Sequence, residues 1–187
     1  MTLAALNAVV GIATLVIFAA TAVAALFQLK HLRASNELDA FLRLSDALRE
    51  PTLREAFRYV QTDLAARLED PLYRAELARV GFIDPQSHPE MDACNWFNEV
   101  GTLVKHRLVN ERTFLDLFAP LVSYYWTQLE ATVALVRRER GVGQYENFEY
   151  LAALAERWRV KHPRGDYPAN VPRKTPLDPW PQGEPAR

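Results

Sequence analysis

The stretch "VVGIATLVIFAATAVAALFQLK", Val9 to Lys30, decides how the rest of the chain is read. Between Asn7 and Gln28 lie twenty residues whose only polar side chains are Thr14 and Thr21. As a helix rising 1.5 Å per residue they cover about 30 Å, the thickness of a bilayer's hydrocarbon layer. Ten of the twenty are Leu, Ile, Val or Phe, and at a few tenths of a kcal/mol each they favour insertion by about 3 to 6 kcal/mol. That suffices for one stable span. A cleaved signal peptide is the first competing reading. Ala22-Val23-Ala24 imitates a cleavage site, but "MTLAALN" has no basic residue ahead of the apolar run. A buried soluble helix is the second. It would need more apolar surface around it than the remaining segments, with one apolar stripe each, can supply.

All 45 Lys, Arg, Asp and Glu side chains of the 187 residues lie at or beyond Lys30. Lys30, Arg33, Arg43 and Arg49 follow the span, and only the α-amine precedes it, so the expected topology places the N-terminus outside and the bulk of the chain in the cytoplasm. The chain is expected to cross the membrane once. Small residues recur at four-residue spacing, as in Ala20-x-x-x-Ala24 and Thr21-x-x-x-Ala25, which leaves a homo-oligomer open.

Beyond the span the expected fold is all-α. Residues 1–29 form the anchor, 30–50 a stalk helix continuing from it, 51–162 a bundle of four to five helices, and 163–187 a disordered Pro-rich tail. Leu38, Phe41, Leu42, Ser45 and Leu48 keep a helical stripe up to Pro51, and Leu53, Phe57, Val60, Leu64 and Leu68 define an amphipathic helix from Thr52 to Leu68. A short helix, Leu72 to Val80, ends where Gly81 can take the left-handed conformation, and "FIDPQSHPE" reads as a loop. In "EMDACNWFNEVGTLVKHRLVN" a turn of 100° per residue gathers Asp92, Asn95, Asn98, Glu99, Thr102, Lys105 and His106 on one arc. Cys94, Trp96, Phe97, Val100, Leu103 and Val104 fill the other. This is a half-buried helix with a solvated face. The imagined metal set Asp92, Asn95, Glu99 and His106 lacks the tight His or Cys pairs of a zinc site.

Asn110 opens a long helix through Arg140, which Pro120 should kink or divide. Its closing Arg137, Arg138 and Arg140 oppose the negative helix end, and a formal net charge of −1 argues against a nucleic-acid partner. Asn147 reads as the N-cap of a final helix, with Phe148, Leu151, Ala155 and Trp158 as its packing stripe. The tail that begins at Pro163 carries seven of the twelve prolines, a PxxP spacing from Pro176 to Pro179, and Trp180, a candidate docking residue.

An apolar N-terminal span followed by "NWFNEVGTLVKHRLVNERTFLDLF" (Asn95 to Phe118), "YYW" (Tyr124 to Trp126) and "YENFEYLA" (Tyr145 to Ala152) resembles a bacterial domain-of-unknown-function family. It is family forty-seven sixty of that series, made of short, membrane-anchored helical proteins. The resemblance runs from Gln28 to Trp158 and implies an all-α fold in a bacterial inner membrane, crossed once. It implies no reaction, ligand or catalytic residue, and the tail lies outside it.

No GxSxG elbow, GxxxxGK[ST] loop or GxGxxG turn occurs. No cofactor is expected, and no catalytic motif marks an enzyme. Two function classes remain. The first is a membrane-tethered interaction or scaffold module serving an unknown protein partner, with the bilayer as its other contact. The alternative is an enzyme or small-ligand sensor whose site is assembled between helices. Its candidate residues are Glu99, His106, Tyr124, Tyr125 and Trp126, and Glu99 pointing inward with Tyr125 would favour it.

Overall fold

A computed structural model describes residues 3–174, 176 and 177, and the backbone alone for 4–10, 33 and 34. Helix α1 runs without interruption from Leu3 to Ala47, about 67 Å at 1.5 Å per residue. No Pro or interior Gly beyond Gly11 breaks it, so the segments expected to be anchor and stalk form one continuous helix. Its apolar stretch is long enough to cross a membrane, and none of it is buried against the rest of the chain. Leu15, Phe18 and Phe27 are about 70% exposed (70%, 71% and 69%). The far end behaves differently. Leu44 is buried, Ala40, Phe41, Ala47 and Leu48 pack on the core, and the Phe41 ring lies 6.1 Å from that of Phe118.

The chain then folds into α2 (Pro51–Thr62), α3 (Leu64–Arg67), α4 (Pro71–Ala78), α5 (Glu90–Lys105), α6 (Glu111–Arg140) and α7 (Glu146–Lys161). No strand occurs among the described residues. Pro51 and Pro71 occupy first helical turns, where a missing N–H costs nothing. The helix expected from Thr52 to Leu68 is divided at Asp63. There the Thr62 hydroxyl stands within reach of two acceptors, the Asp63 carboxylate and the Arg58 carbonyl, and its one proton makes a local bond that competes with the helix ladder. Gly81 adopts φ of 118° after α4, whose last helical residue is Ala78. The long helix is not divided at Pro120. Asn110 caps it by accepting from the Thr113 N–H at 3.0 Å.

Asn147 is not the N-cap of α7. That position belongs to Tyr145 at φ of 59°, without a side-chain cap. Asn147 instead faces α5, its amide donating to Thr102 Oγ1 at 2.9 Å and its N–H to Asn98 Oδ1 at 3.2 Å. The cause is a close helix crossing. A Cβ on Gly101 would stand 2.0 Å from the Asn147 carbonyl oxygen, so only glycine lets the two backbones meet and brings Asn98 and Thr102 within reach. Beside this crossing lies the aromatic centre of the core. Phe97 stacks on Phe148 at 4.7 Å and meets Phe57 and Tyr125 at 5.7 and 5.6 Å.

Candidate functional site

The residues singled out in the sequence are not gathered in one place. Glu99 and His106 are exposed, and Glu99 does not turn inward with Tyr125. The helix rotation that buries Phe97 and Val100 carries Glu99 to the outer arc. Tyr125 is 3% exposed, and its hydroxyl accepts from Gln61 Nε2 at 2.6 Å; burial raises the phenol above its ordinary range. Tyr124, the next residue, is 45% exposed. Trp126 sits edge-on to Phe148 at 4.9 Å and lines a groove between α6 and α7 of about 430 Å³, with Ser123, Thr127, Glu149, Ala152 and Arg159. Trp180 lies outside the described residues.

A different set of polar groups is drawn together. Glu90, in the first turn of α5, is fully buried (0% exposed), and His88, just before it, is 2% exposed. Tyr73 of α4 donates its hydroxyl to Glu90 Oε1 at 2.6 Å. Its oxygen lies 3.1 Å from the Tyr59 hydroxyl of α2. His88 Nδ1 approaches the same Glu90 oxygen at 3.1 Å, and Nε2 lies 3.0 Å from Glu76 Oε2. Both ring nitrogens therefore face carboxylates, an arrangement in which only a doubly protonated ring donates both bonds. Tyr59, Tyr73, Glu90, His88 and Glu76 form one hydrogen-bonded chain that starts between helices and ends at a solvent-exposed carboxylate.

Burial comes first among the causes that push the Tyr73 phenol far above the ordinary tyrosine range, with the bond to Glu90 second. Cys94, one turn beyond Glu90 and fully buried, has its thiol pushed up by burial and then by the glutamate's charge. Glu90 Oε2 has no hydrogen-bond partner among the described residues. Such a group costs stability and is kept only where the surroundings fix it. His88 also lines a cleft of about 260 Å³ with Glu76, Arg79, Phe82, Asp84 and Ser87.

Sequence periodicity could not find this chain, because His88 lies in a loop and Glu90 at the helix start beside it. The one available signal was Glu90 opening an apolar helix, where a carboxylate also meets the positive helix end. Among the described residues no three His, Cys, Asp or Glu side chains are arranged to hold a metal.

Neither the curated proteins nor the solved structures contain a match to this chain. A family profile does match: the one described as Domain of unknown function (DUF4760) covers residues 15–158, from within the apolar span of α1 to the end of the α7 packing stripe. The chain therefore belongs to the DUF4760 family, whose description assigns no activity.

Proposed function

We propose that this protein is a membrane-tethered helical module that presents a face of its bundle to another protein. The observation that carries the reading is the division of labour along α1. Its apolar N-terminal part is bare, and its last turns are built into the bundle core through Leu44 and Phe41. A rod free at one end and locked at the other suits a tether, because burial in lipid satisfies the bare part. The cations following the span favour an outside N-terminus and a cytoplasmic bundle, in the single-pass inner-membrane setting that the resemblance implies. The groove beside Trp126 is the face offered to a partner, since aromatic side chains in a concave surface are common binding anchors. A photo-crosslinking residue at Tyr124 or Thr127, introduced into the full chain in native membranes, should yield one discrete adduct. Protease accessibility of a C-terminal tag should report the cytoplasmic side. Partition of the chain to the soluble fraction after an alkaline wash would sink the reading.

The alternative, a small-ligand or catalytic site between helices, is favoured by the buried His88 at the floor of its cleft. A screen of small molecules by thermal shift tests it. A ligand that stabilises the native chain but not a folded His88→Gln variant supports it, and a ligand indifferent to that change removes His88 from the site.

A further inference from the structure

We infer that the groove between α6 and α7 is covered by this chain's own C-terminal segment, 175–187, which a protein partner must displace. The inference rests on the reading of that groove as a partner face. Beside it, between the same two helices, lies a second hollow of about 390 Å³, lined by Asp116, Pro120, Trp158, His162, Pro163 and Gly165. The exposed Arg159 lines both. The chain therefore leaves α7 at one end of a trough that continues along α6 to Trp126, and it is fastened there. Arg112, in the first turn of α6, pairs with Asp166 at 2.7 Å. Arg173 turns back to donate to the Arg164 carbonyl, its guanidinium 4.5 Å from the centre of the Tyr167 ring. Seven residues lead from Arg173 to Trp180, and extended chain spans about 23 Å over that length. From Pro120 to Trp126 the trough needs only about 9 Å along α6, so Trp180 reaches the groove with slack.

The chemistry of the two surfaces is complementary. Pro176, Pro179, Pro181 and Pro185 have no backbone N–H, so an extended segment built on them presents carbonyl acceptors. The groove holds a matching donor, the Ser123 hydroxyl, buried and without a hydrogen-bond partner among the described residues. The Trp126 ring supplies the aromatic surface on which Pro-rich segments dock. Asp178 stands two residues before Trp180, which brings a carboxylate to Arg159 when the Trp180 ring rests on Trp126. Tethering decides for this segment over an unrelated peptide, because a short linker holds it at an effective concentration of about millimolar.

The test is disulfide formation in the purified full chain, in detergent and in a Cys94→Ala background, between Thr127→Cys and Gln182→Cys. Mild oxidation should join the two within one chain, read as a linked peptide in a product of monomer mass. Trp180→Ala or Asp178→Lys, both outside the bundle, should each lower the yield several-fold, whereas a tail that merely collides with the groove would link equally in all three chains. Equal yields, no link, or a link found only at twice the chain mass would overturn the inference. In native membranes, deletion of 175–187 should raise the photo-adduct at Thr127 several-fold, and an unchanged yield would also overturn it. The purified chain holds no partner, so the two readings fail separately. A linked tail with no adduct in either chain supports the covered groove and sinks the partner reading, while an adduct without a linked tail does the reverse.

Discussion

Glu90 is the residue on which the polar interior turns. One of its oxygens serves two partners and the other has none, so replacement by Leu strands the Tyr73 hydroxyl and His88 Nδ1 in an apolar surrounding. That should cost about 3 kcal/mol or more, read by denaturant unfolding of the full chain in detergent, and Glu90→Gln should cost less because it keeps an acceptor for Tyr73. The buried phenols give a pH dependence of definite sign. Tyr73 and Tyr145 are held above the ordinary tyrosine range by burial first. The folded state therefore keeps protons that the unfolded chain releases near pH ~10. Stability is full below that pH and falls as the pH rises beyond it. Absorbance titration should show these two tyrosines ionising only as the fold is lost. Cys94, whose thiol is also raised by burial, should resist alkylation at neutral pH until the chain is unfolded. Helical periodicity indicated its burial, because it sits on the apolar arc of α5. The role of Glu90 was not legible there, since a carboxylate at a helix start reads as a solvated charge unless the fold is known to cover it.

Element by element, the apolar periodicities translate into the buried or part-buried stripes of α2, α5 and α7, because a half-buried helix must keep its large side chains on one side. What periodicity does not contain is which helices touch and how closely. Gly101 shows the difference. In sequence it is one glycine in an otherwise ordinary helix, while in the fold it is the point where α5 and α7 meet backbone to backbone. Gly101→Ala should destabilise by at least about 2 kcal/mol, although alanine is the better helix former, and the loss should appear as a lowered unfolding midpoint with unchanged helicity. Pro120 makes the opposite case. The helix passes through it unbroken, held by Ala119 and Val122 in the core on either side. Tertiary packing thus overrides a local breaker. Pro120→Ala restores a backbone donor at an exposed position and should stabilise by about 1 kcal/mol or more, measured in the same denaturant series.

For the molecule as a whole, the important junction is between the rod and the bundle. Among the described residues of α1, Leu44 is the one in the buried core. Leu44→Asp should release the stalk without unfolding α5 to α7, seen as a broadened spin-label distance distribution between Asn36 and the exposed Glu130. A long apolar N-terminal helix that continues to the bundle was readable from its apolar length and from the lack of Pro or Gly between Lys30 and Pro51. Its seating on Phe118 was not, because that contact joins residues 77 positions apart. A rod with no joint also fixes azimuth. Each residue inserted between Leu29 and Leu38 should turn the whole domain about the membrane normal by roughly 100° and lift it about 1.5 Å, while seven inserted residues nearly restore its heading, about 20° short of two full turns. Activity in cells scored against insertion length should therefore oscillate if the bearing of the domain matters, and decline smoothly if height alone does.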